Sequence, residues 1–295
     1  YKVYLATMLG KAGYADPQAA AAAVYAFETE VAKVEWSRVA MRNRDITYNR
    51  LTPEELAAAA GDFPLQRLLD VTGLAGQPFY LAAQIAPSED EAAALGLSKE
   101  IRDGIGAGLP GMMQLLARCD LATIKAYMAK SFLSDHAAVL SSELDAAEFA
   151  FYGKVLSGRE LQEPRWKRAV ATVEGQIGEV LGKEYAARFF PAESKAAMQE
   201  LVGNLKRAMA EGIAQNSWMT DATKQAALAK LESFNTKIGY PEKFETYEGL
   251  AITRDALANR LAARAWNRKD SLSRLGKPVD KSEWFMLPQT VNAYY

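Results

Sequence analysis

Residues 16–34 read DPQAAAAAVYAFETEVAKV, and this stretch indicates the fold class of the chain. Asp16 can cap a helix, and Pro17 suits the first helical position. Apolar side chains then recur at spacings of three and four, which places them on one face of a helix. They are Val24, Phe27, Val31 and Val34. The stretch therefore predicts an amphipathic α-helix, and similar patterns fill most of the chain.

Other helices are predicted from caps and from hydrophobic periodicity. Thr52 and Glu55 have the spacing of a capping box, which predicts a short helix through Ala60 that Gly61 ends. In residues 195–214 the pattern places one set of apolar side chains on a single face: Met198, Leu201, Leu205, Met209 and Ile213. Further helices are predicted over about 110–156, 164–181 and 253–272. One more is predicted from the caps Thr220 and Asp221 up to Gly239, with Ala227, Leu231 and Phe234 facing inward.

Three segments depart from the helical pattern. Residues 41–50 are polar and without a clear period, which predicts an ordered loop. The apolar run 79–83 lies among glycines and prolines and predicts a short extended segment. Residues 282–295 are rich in strand formers such as Trp284 and Val291, which predicts a strand. A strand needs partners for its backbone groups, so we expect the fold to continue beyond Tyr295.

The composition excludes several classes of function. The chain has 295 residues with 35 basic and 36 acidic side chains, so a net charge of -1 offers no bulk attraction to nucleic acid or to an anionic membrane. The sequence has no apolar run of the length that a membrane-spanning helix needs. Neither nucleic acid nor a membrane span is therefore expected as a partner of this chain.

The numbers of histidine and cysteine residues restrict catalysis further. Cys119 is the single cysteine, which excludes an intramolecular disulfide. His136 is the single histidine, whereas the zinc motif HExxH needs two. The stretch around His136 has the pattern of a helix, and we interpret this histidine as structural. We therefore expect no catalytic residue and no metal ligand within this chain.

The remaining catalytic signatures are absent from the sequence. Gly104, Gly106 and Gly108 form a glycine-rich segment, but no predicted strand leads into it, so we interpret it as a loop. Acidic side chains such as Glu143, Asp145 and Glu148 recur at helical spacing, which is typical of a solvated helix face. Neither group of residues predicts an active site.

Four segments resemble the neprilysin and endothelin-converting-enzyme family of zinc metallopeptidases, and they follow the order found in that family. They are Arg44-Asp45 with Tyr48-Asn49 and Leu51-Thr52-Pro53-Glu54-Glu55-Leu56; Arg165-Trp166-Lys167-Arg168 with Gly182-Lys183-Glu184-Tyr185 and Phe189-Phe190; Trp218-Met219, Thr223-Lys224, Ala227 and Lys230 with Lys237-Ile238-Gly239-Tyr240-Pro241; and Pro278-Val279-Asp280-Lys281-Ser282-Glu283-Trp284 with Val291-Asn292-Ala293-Tyr294-Tyr295.

The resemblance implies a mainly α fold that forms one part of a larger peptidase. Residues 1–278 would be a multi-helical lid lobe, with roughly 164–272 connecting it toward the catalytic lobe. Residues 279–295 would be the first strand of that catalytic lobe. The family's zinc ligands follow the Asn-Ala-Tyr-Tyr strand, so zinc is implied for the whole protein, with its ligands beyond Tyr295 and none in this chain.

The same resemblance implies a substrate-binding role for Asn292 and Ala293, which match the family's substrate-binding positions. An Asn amide offers a donor and an acceptor to a peptide group. A small neighbour lets an extended substrate approach, as in strand addition to a sheet edge. On the residues alone, an ordinary edge strand with a buried Asn is the other interpretation.

The resemblance also implies a function and a location. The chain would be the non-catalytic, substrate-enclosing part of a zinc-dependent metalloendopeptidase that cleaves small peptides. Its partners would be peptide substrates and the catalytic lobe of its own polypeptide, and the protein would be exported to the periplasm, the cell envelope or the outside of the cell. Two alternatives stay open: a stand-alone helical binding or scaffold protein, and an unrelated helical enzyme that uses carboxylates alone.

Overall fold

The structure is a computed structural model that describes residues 1–294. The chain separates into two compact units, unit 1 over residues 1–162 and unit 2 from residue 163 onward. The division lies next to Pro164, where the sequence predicts the start of a helix. The assignment of residues 1–278 to a lid lobe and of 279–295 to a catalytic lobe stays a prediction.

Unit 1 consists mainly of helices. Its α-helices are α1 (Lys2–Lys11), α2 (Pro17–Val34), α3 (Arg38–Arg42), α4 (Arg44–Thr47), α5 (Pro53–Ala60), α6 (Leu65–Thr72), α7 (Glu89–Ala94), α8 (Lys99–Asp103), α9 (Gly108–Arg118), α10 (Leu121–His136) and α11 (Ser142–Glu148). A 3-10 turn (Ala137–Val139) follows α10, and a π-helix (Phe149–Leu156) follows α11. Two short strands, β1 (Asn49–Leu51) and β2 (Tyr80–Ala82), pair in antiparallel fashion.

The predicted helix over residues 16–34 is confirmed as α2. The Asp16 carboxylate accepts a hydrogen bond from the Ala19 amide at 2.9 Å and caps the helix. Val24 and Phe27 are buried, and Val24 joins Leu5 of α1 in the main core of the unit. Burying each such side chain stabilises the fold by about 1.5–3 kcal/mol. The helix is therefore held by its cap at one end and by its apolar face along its length.

The capping box is confirmed, and residues 41–50 differ from the prediction of a loop. Thr52 and Glu55 exchange hydrogen bonds at the start of α5. Residues 41–50 contain the end of α3, the whole of α4 and part of β1. The Asn43 side chain caps α4, so a local side-chain bond takes the place of a periodic apolar face. Elements this short show no period in the sequence.

The glycine-rich segment is a loop that packs tightly. The indole nitrogen of Trp36 donates a hydrogen bond to the Gly106 carbonyl at 3.0 Å. A Cβ atom on Gly106 would lie 2.4 Å from the Val34 carbonyl oxygen, and one on Gly108 would lie 2.2 Å from that of Gln84. The glycines are therefore explained by close backbone approach and need no bound phosphate.

Unit 2 contains four long helices among its described residues. They are α12 (Arg165–Phe189), α13 (Ala192–Gln215), α14 (Asp221–Glu232) and α15 (Ala256–Ser273). The Thr220 hydroxyl caps α14, as predicted, but α14 ends at Glu232, well before Gly239. Within residues 1–294, no helix has both the length and the apolar character that a membrane span requires.

The predicted strand near the C-terminus differs from the structure. Residues 279–294 form turns and irregular backbone, and Tyr295 lies outside the described residues. The Thr290 amide donates to the Leu287 carbonyl at 2.9 Å, which curls the chain locally. Strand-forming side chains produce a strand only where a neighbouring strand pairs with the backbone, and the described part of unit 2 contains none.

The apolar face of α13 is exposed, although the sequence pattern predicts an inward face. Met198, Leu201, Leu205 and Met209 range from 43% to 61% exposed. Lys195 is the buried residue of this helix. Phe234, which the sequence places inward with Ala227 and Leu231, lies beyond the end of α14 and is exposed. The apolar period therefore predicts the helix α13 correctly but does not predict the exposure of its face.

A charged pair lies inside the core of unit 1. The Lys130 ammonium of α10 contacts the Glu28 carboxylate of α2 at 2.7 Å, with the two side chains 7% and 21% exposed. The Tyr1 hydroxyl donates to the other carboxylate oxygen of Glu28 at 2.5 Å. Because both charges are largely removed from water, each depends on the other for compensation.

We expect Glu28→Ala to destabilise unit 1 by about 3–5 kcal/mol, because it leaves the buried Lys130 charge without an ionic partner. Urea unfolding followed by circular dichroism measures this loss. Glu30→Ala is the matched control on the same helix, since Glu30 pairs with Lys33 at the surface, and it should cost less than about 1 kcal/mol. Equal losses for the two variants would contradict the assignment.

Candidate substrate-binding site

The single histidine belongs to the core of unit 1. His136 is 1% exposed, and its Nδ1–H donates to the Phe132 carbonyl at 2.8 Å. Its ring stacks on that of Phe132 with the centroids 4.3 Å apart. These contacts agree with a packing role, as the interpretation of this residue in the sequence supposed.

The described residues do not fit a zinc centre. Among residues 1–294, no group of three or more His, Cys, Asp or Glu side chains is placed to hold a metal ion. Catalytic zinc normally takes three protein ligands of these types. Any zinc site of the whole protein would therefore need ligands from outside this part of the chain.

The sequence-predicted site residues lie together in unit 2. Asn292 and Ala293 both line a cavity of about 530 Å³, whose size is in the range of ligand-binding pockets. The other residues of the lining come from the segment after α14 and from the C-terminal segment: Asn235, Lys237, Gly239, Lys281, Trp284, Met286, Leu287, Pro288, Thr290 and Tyr294. We refer to this space as the C-terminal cavity.

The wall of the C-terminal cavity is set by close packing on α12. A Cβ atom on Gly178 would lie 2.4 Å from the Leu287 Cδ1 atom, and one on Gly182 would lie 2.6 Å from the Pro288 Cδ atom. Both glycines are buried, one helical turn apart. The two missing side chains therefore let residues 287–288 lie directly on the helix.

Polar contacts fix the other side of the C-terminal cavity. The Asn235 side chain donates to the Lys281 carbonyl at 2.7 Å, and the Lys237 ammonium donates to the Glu283 carbonyl. The Arg274 guanidinium pairs with both Asp270 and Glu283. The hydrogen bond to Asp270 raises the pKa of Arg274 most, and the hydrogen bond to Glu283 raises it further. The C-terminal segment is thus tied to α15 and to the segment after α14.

Asn292 is only partly available as a ligand group. Its side-chain oxygen accepts a hydrogen bond from the Ala293 amide at 2.8 Å. Its side-chain NH₂ and the Ala293 carbonyl make no hydrogen bond to another described residue. Both residues are exposed. The Asn292 NH₂ can therefore donate, and the Ala293 carbonyl can accept, a further hydrogen bond, while the two-point amide contact suggested by the sequence stays a prediction.

A second cavity of about 230 Å³ adjoins the C-terminal cavity and shares Asn235, Lys237 and Trp284 with it. We refer to it as the side cavity. Lys195, which is 9% exposed, lines it and contacts the Glu242 carboxylate at 2.7 Å. Sequence reasoning did not select Lys195, Lys237 or Trp284 as site residues. The last two lie in segments that carry the family resemblance, which was the available signal.

We expect Gly182→Ala to disturb the C-terminal cavity, because the added methyl group has no room beside Pro288. The free energy of unfolding should fall by about 1–3 kcal/mol, and protease cleavage after Lys281 should become faster. Gly175→Ala is the matched control on the same helix, where a Cβ atom meets nothing within 4 Å. It should stabilise the helix by about 0.5–1 kcal/mol. A stabilising Gly182→Ala would contradict the packing described.

Curated proteins similar to this chain are peptidases. Neutral endopeptidase of Lactobacillus helveticus is 30% identical over 185 residues, and Neprilysin-2 of Drosophila melanogaster is 28% identical over 290 residues. These alignments cover 62% and 91% of this chain, but only 28% and 35% of the two relatives. The chain therefore spans about a third or less of the length of the curated relatives it matches.

Solved structures that are similar to this chain include a zinc metalloprotease that is also much longer than the chain. Zinc metalloprotease ZMP1 of Mycobacterium tuberculosis, in complex with an inhibitor, matches with a TM-score of 0.81 at 33% identity. The match covers 100% of this chain and 42% of that protein. PEPO from Lactobacillus rhamnosis has a TM-score of 0.77 at 22% identity, which shows a shared fold.

The family model described as Peptidase family M13 matches residues 1–241, more than half of the chain. The matched range includes α1 to α14 and the segment that carries Lys237 and Gly239. The mainly α architecture and the family resemblance that the sequence predicted are therefore confirmed, and this chain belongs to peptidase family M13.

Proposed function

We propose that this chain is the non-catalytic, substrate-enclosing part of a zinc-dependent metalloendopeptidase that cleaves small peptides. The observation that carries the proposal is the position of Asn292 and Ala293 in one cavity of a family M13 chain. Zinc would be held by residues outside this part of the chain, and its chemistry would be carried out there. The role of this chain is to bind and orient the peptide.

The contacts proposed for the peptide follow from the groups that the site leaves open. The Asn292 NH₂ donates to a substrate carbonyl, and the Ala293 carbonyl accepts a substrate N–H. Each such bond contributes about 0.5–1.5 kcal/mol. Ala293 has only a methyl side chain, so an extended backbone can approach it closely. Main-chain recognition of this kind favours an extended peptide over a folded protein.

The exposed face of α13 supports a second part of the proposal, which concerns the partner. Four large apolar side chains on one helix face are about half exposed, so each forgoes part of the about 1.5–3 kcal/mol that full burial contributes. The relatives are much longer than this chain. We propose that other segments of the same polypeptide, the catalytic lobe among them, cover this face.

The location and the division into lobes are proposed on the family resemblance alone. The protein would act after export, in the periplasm, at the cell envelope or outside the cell. Residues 1–278 would form the lid lobe, and residues 279–295 would lead into the catalytic lobe.

The function is tested with the full-length, zinc-loaded polypeptide. We expect it to cleave short peptides and to lose this activity with a metal chelator. Asn292→Ala should lower kcat/KM about tenfold, because it removes a substrate hydrogen bond of about 1.4 kcal/mol. Asn267→Ala is the control, since Asn267 is exposed on α15 and does not line the cavity.

Peptide binding without any chelator-sensitive cleavage would overturn the peptidase proposal. That result would favour the alternative of a stand-alone helical binding protein. An effect of Asn267→Ala as large as that of Asn292→Ala would show that the loss comes from stability and not from substrate contact.

The partner of α13 is tested by cysteine labelling in the full-length polypeptide with Cys119 replaced by Ser. Leu205→Cys should react with a maleimide about tenfold more slowly than Arg207→Cys, because position 205 is covered and position 207 faces away. The two positions are separated by about 200° around the helix. Equal reaction rates would contradict a covering segment.

A further inference from the structure

The charges around the two adjoining cavities differ from those of the whole chain. The chain has nearly equal numbers of acidic and basic side chains. The C-terminal cavity is lined by Lys237 and Lys281 and by no carboxylate side chain. The side cavity adds Lys195 and Lys243, with Glu242 as its one acidic residue. The combined lining therefore has four lysines and one glutamate.

The four lysines differ in whether their ammonium groups contact other groups of the protein. Lys195 and Lys237 are committed to the protein: Lys195 contacts the Tyr240 carbonyl and the Glu242 carboxylate, and Lys237 donates to the Glu283 carbonyl. Lys281 and Lys243 are exposed and make no side-chain hydrogen bond or ion pair to a described residue. The first pair fixes the backbone around the cavities, and the second pair has exposed positive charge with no ion-pair partner among the described residues.

We infer that the two cavities bind a carboxylate of the peptide, with Lys281 as the main contact and Lys243 as the second. A concave site with an excess of one sign of charge concentrates ligands of the opposite sign. A lysine ammonium recognises a carboxylate as a point charge and does not require a fixed geometry. Lys281 and Asn292 line the same cavity, so a peptide held at Asn292 brings neighbouring carboxylates near Lys281.

This inference rests on the proposed function, since it names a preference of the same site. The carboxylate can come from an acidic side chain or from the C-terminus of a peptide. Peptides of otherwise equal sequence separate these sources: one with an internal Glu and an amidated C-terminus, one with Gln and an amidated C-terminus, and one with Gln and a free C-terminus.

The experiment measures binding and cleavage of the three peptides by the full-length polypeptide. Binding uses the chelator-treated protein and fluorescence anisotropy of peptides that carry a neutral dye, so it does not depend on zinc chemistry. Lys281→Gln should lower the preference for a carboxylate peptide over the neutral peptide about three- to fivefold, and Lys243→Gln should lower it less. The preference should also weaken as salt is raised.

Lys269→Gln is the matched control, because it removes the same charge from an exposed position on α15 outside both cavities. It should leave the preference unchanged. An unchanged preference in both Lys281→Gln and Lys243→Gln overturns the inference, even if Asn292→Ala confirms the proposed function. A carboxylate preference in binding without cleavage by the zinc-loaded protein supports the inference and contradicts the proposed function.

Discussion

The close contact between α12 and the C-terminal segment is the constraint on which the candidate site depends. Gly178 and Gly182 leave a strip of bare backbone on the helix, and Leu287 and Pro288 fill it. A methyl group at Gly182 would lie 2.6 Å from the Pro288 Cδ atom, and one at Gly178 would displace the end of the Leu287 side chain, so a larger residue requires this contact to shift. This packing fixes where residues 288–294 begin, and Asn292 and Ala293 depend on that position for their place in the cavity.

Polar contacts within unit 2 also hold the C-terminal segment in its position. The segment after α14 carries Asn235 and Lys237, and both donate to carbonyls of residues 281–283. Arg274 adds an ion pair from the end of α15. A segment without regular secondary structure is thus held by side-chain bonds to its backbone, which satisfy groups that a strand would have paired. The resulting irregular path opens the cavities.

The sequence predicts well those features that depend on nearby residues. The Asp16 cap, the Thr52–Glu55 capping box and the apolar period of α2 act over three or four residues, and the structure confirms each. The short extended segment that contains β2 is also confirmed. It was predictable because glycines and prolines lie on both sides of it in the sequence. Features that depend on distant contacts were not predicted. Nothing near Gly182 in the sequence indicates Pro288, and nothing near Lys281 indicates that Lys237 lines the same cavity.

Two departures between sequence and structure have one physical cause. The apolar face of α13 has the period of a buried helix, yet it is exposed, and residues 282–294 have strand-forming side chains, yet they form no strand. In each case the sequence pattern describes one half of an interface and says nothing about the surface or strand that would form the other half. A period fixes which side chains share a face, while burial needs a second surface. Helical period and strand propensity therefore set the local conformation that these residues favour, while tertiary contacts decide which faces are buried and which strands form.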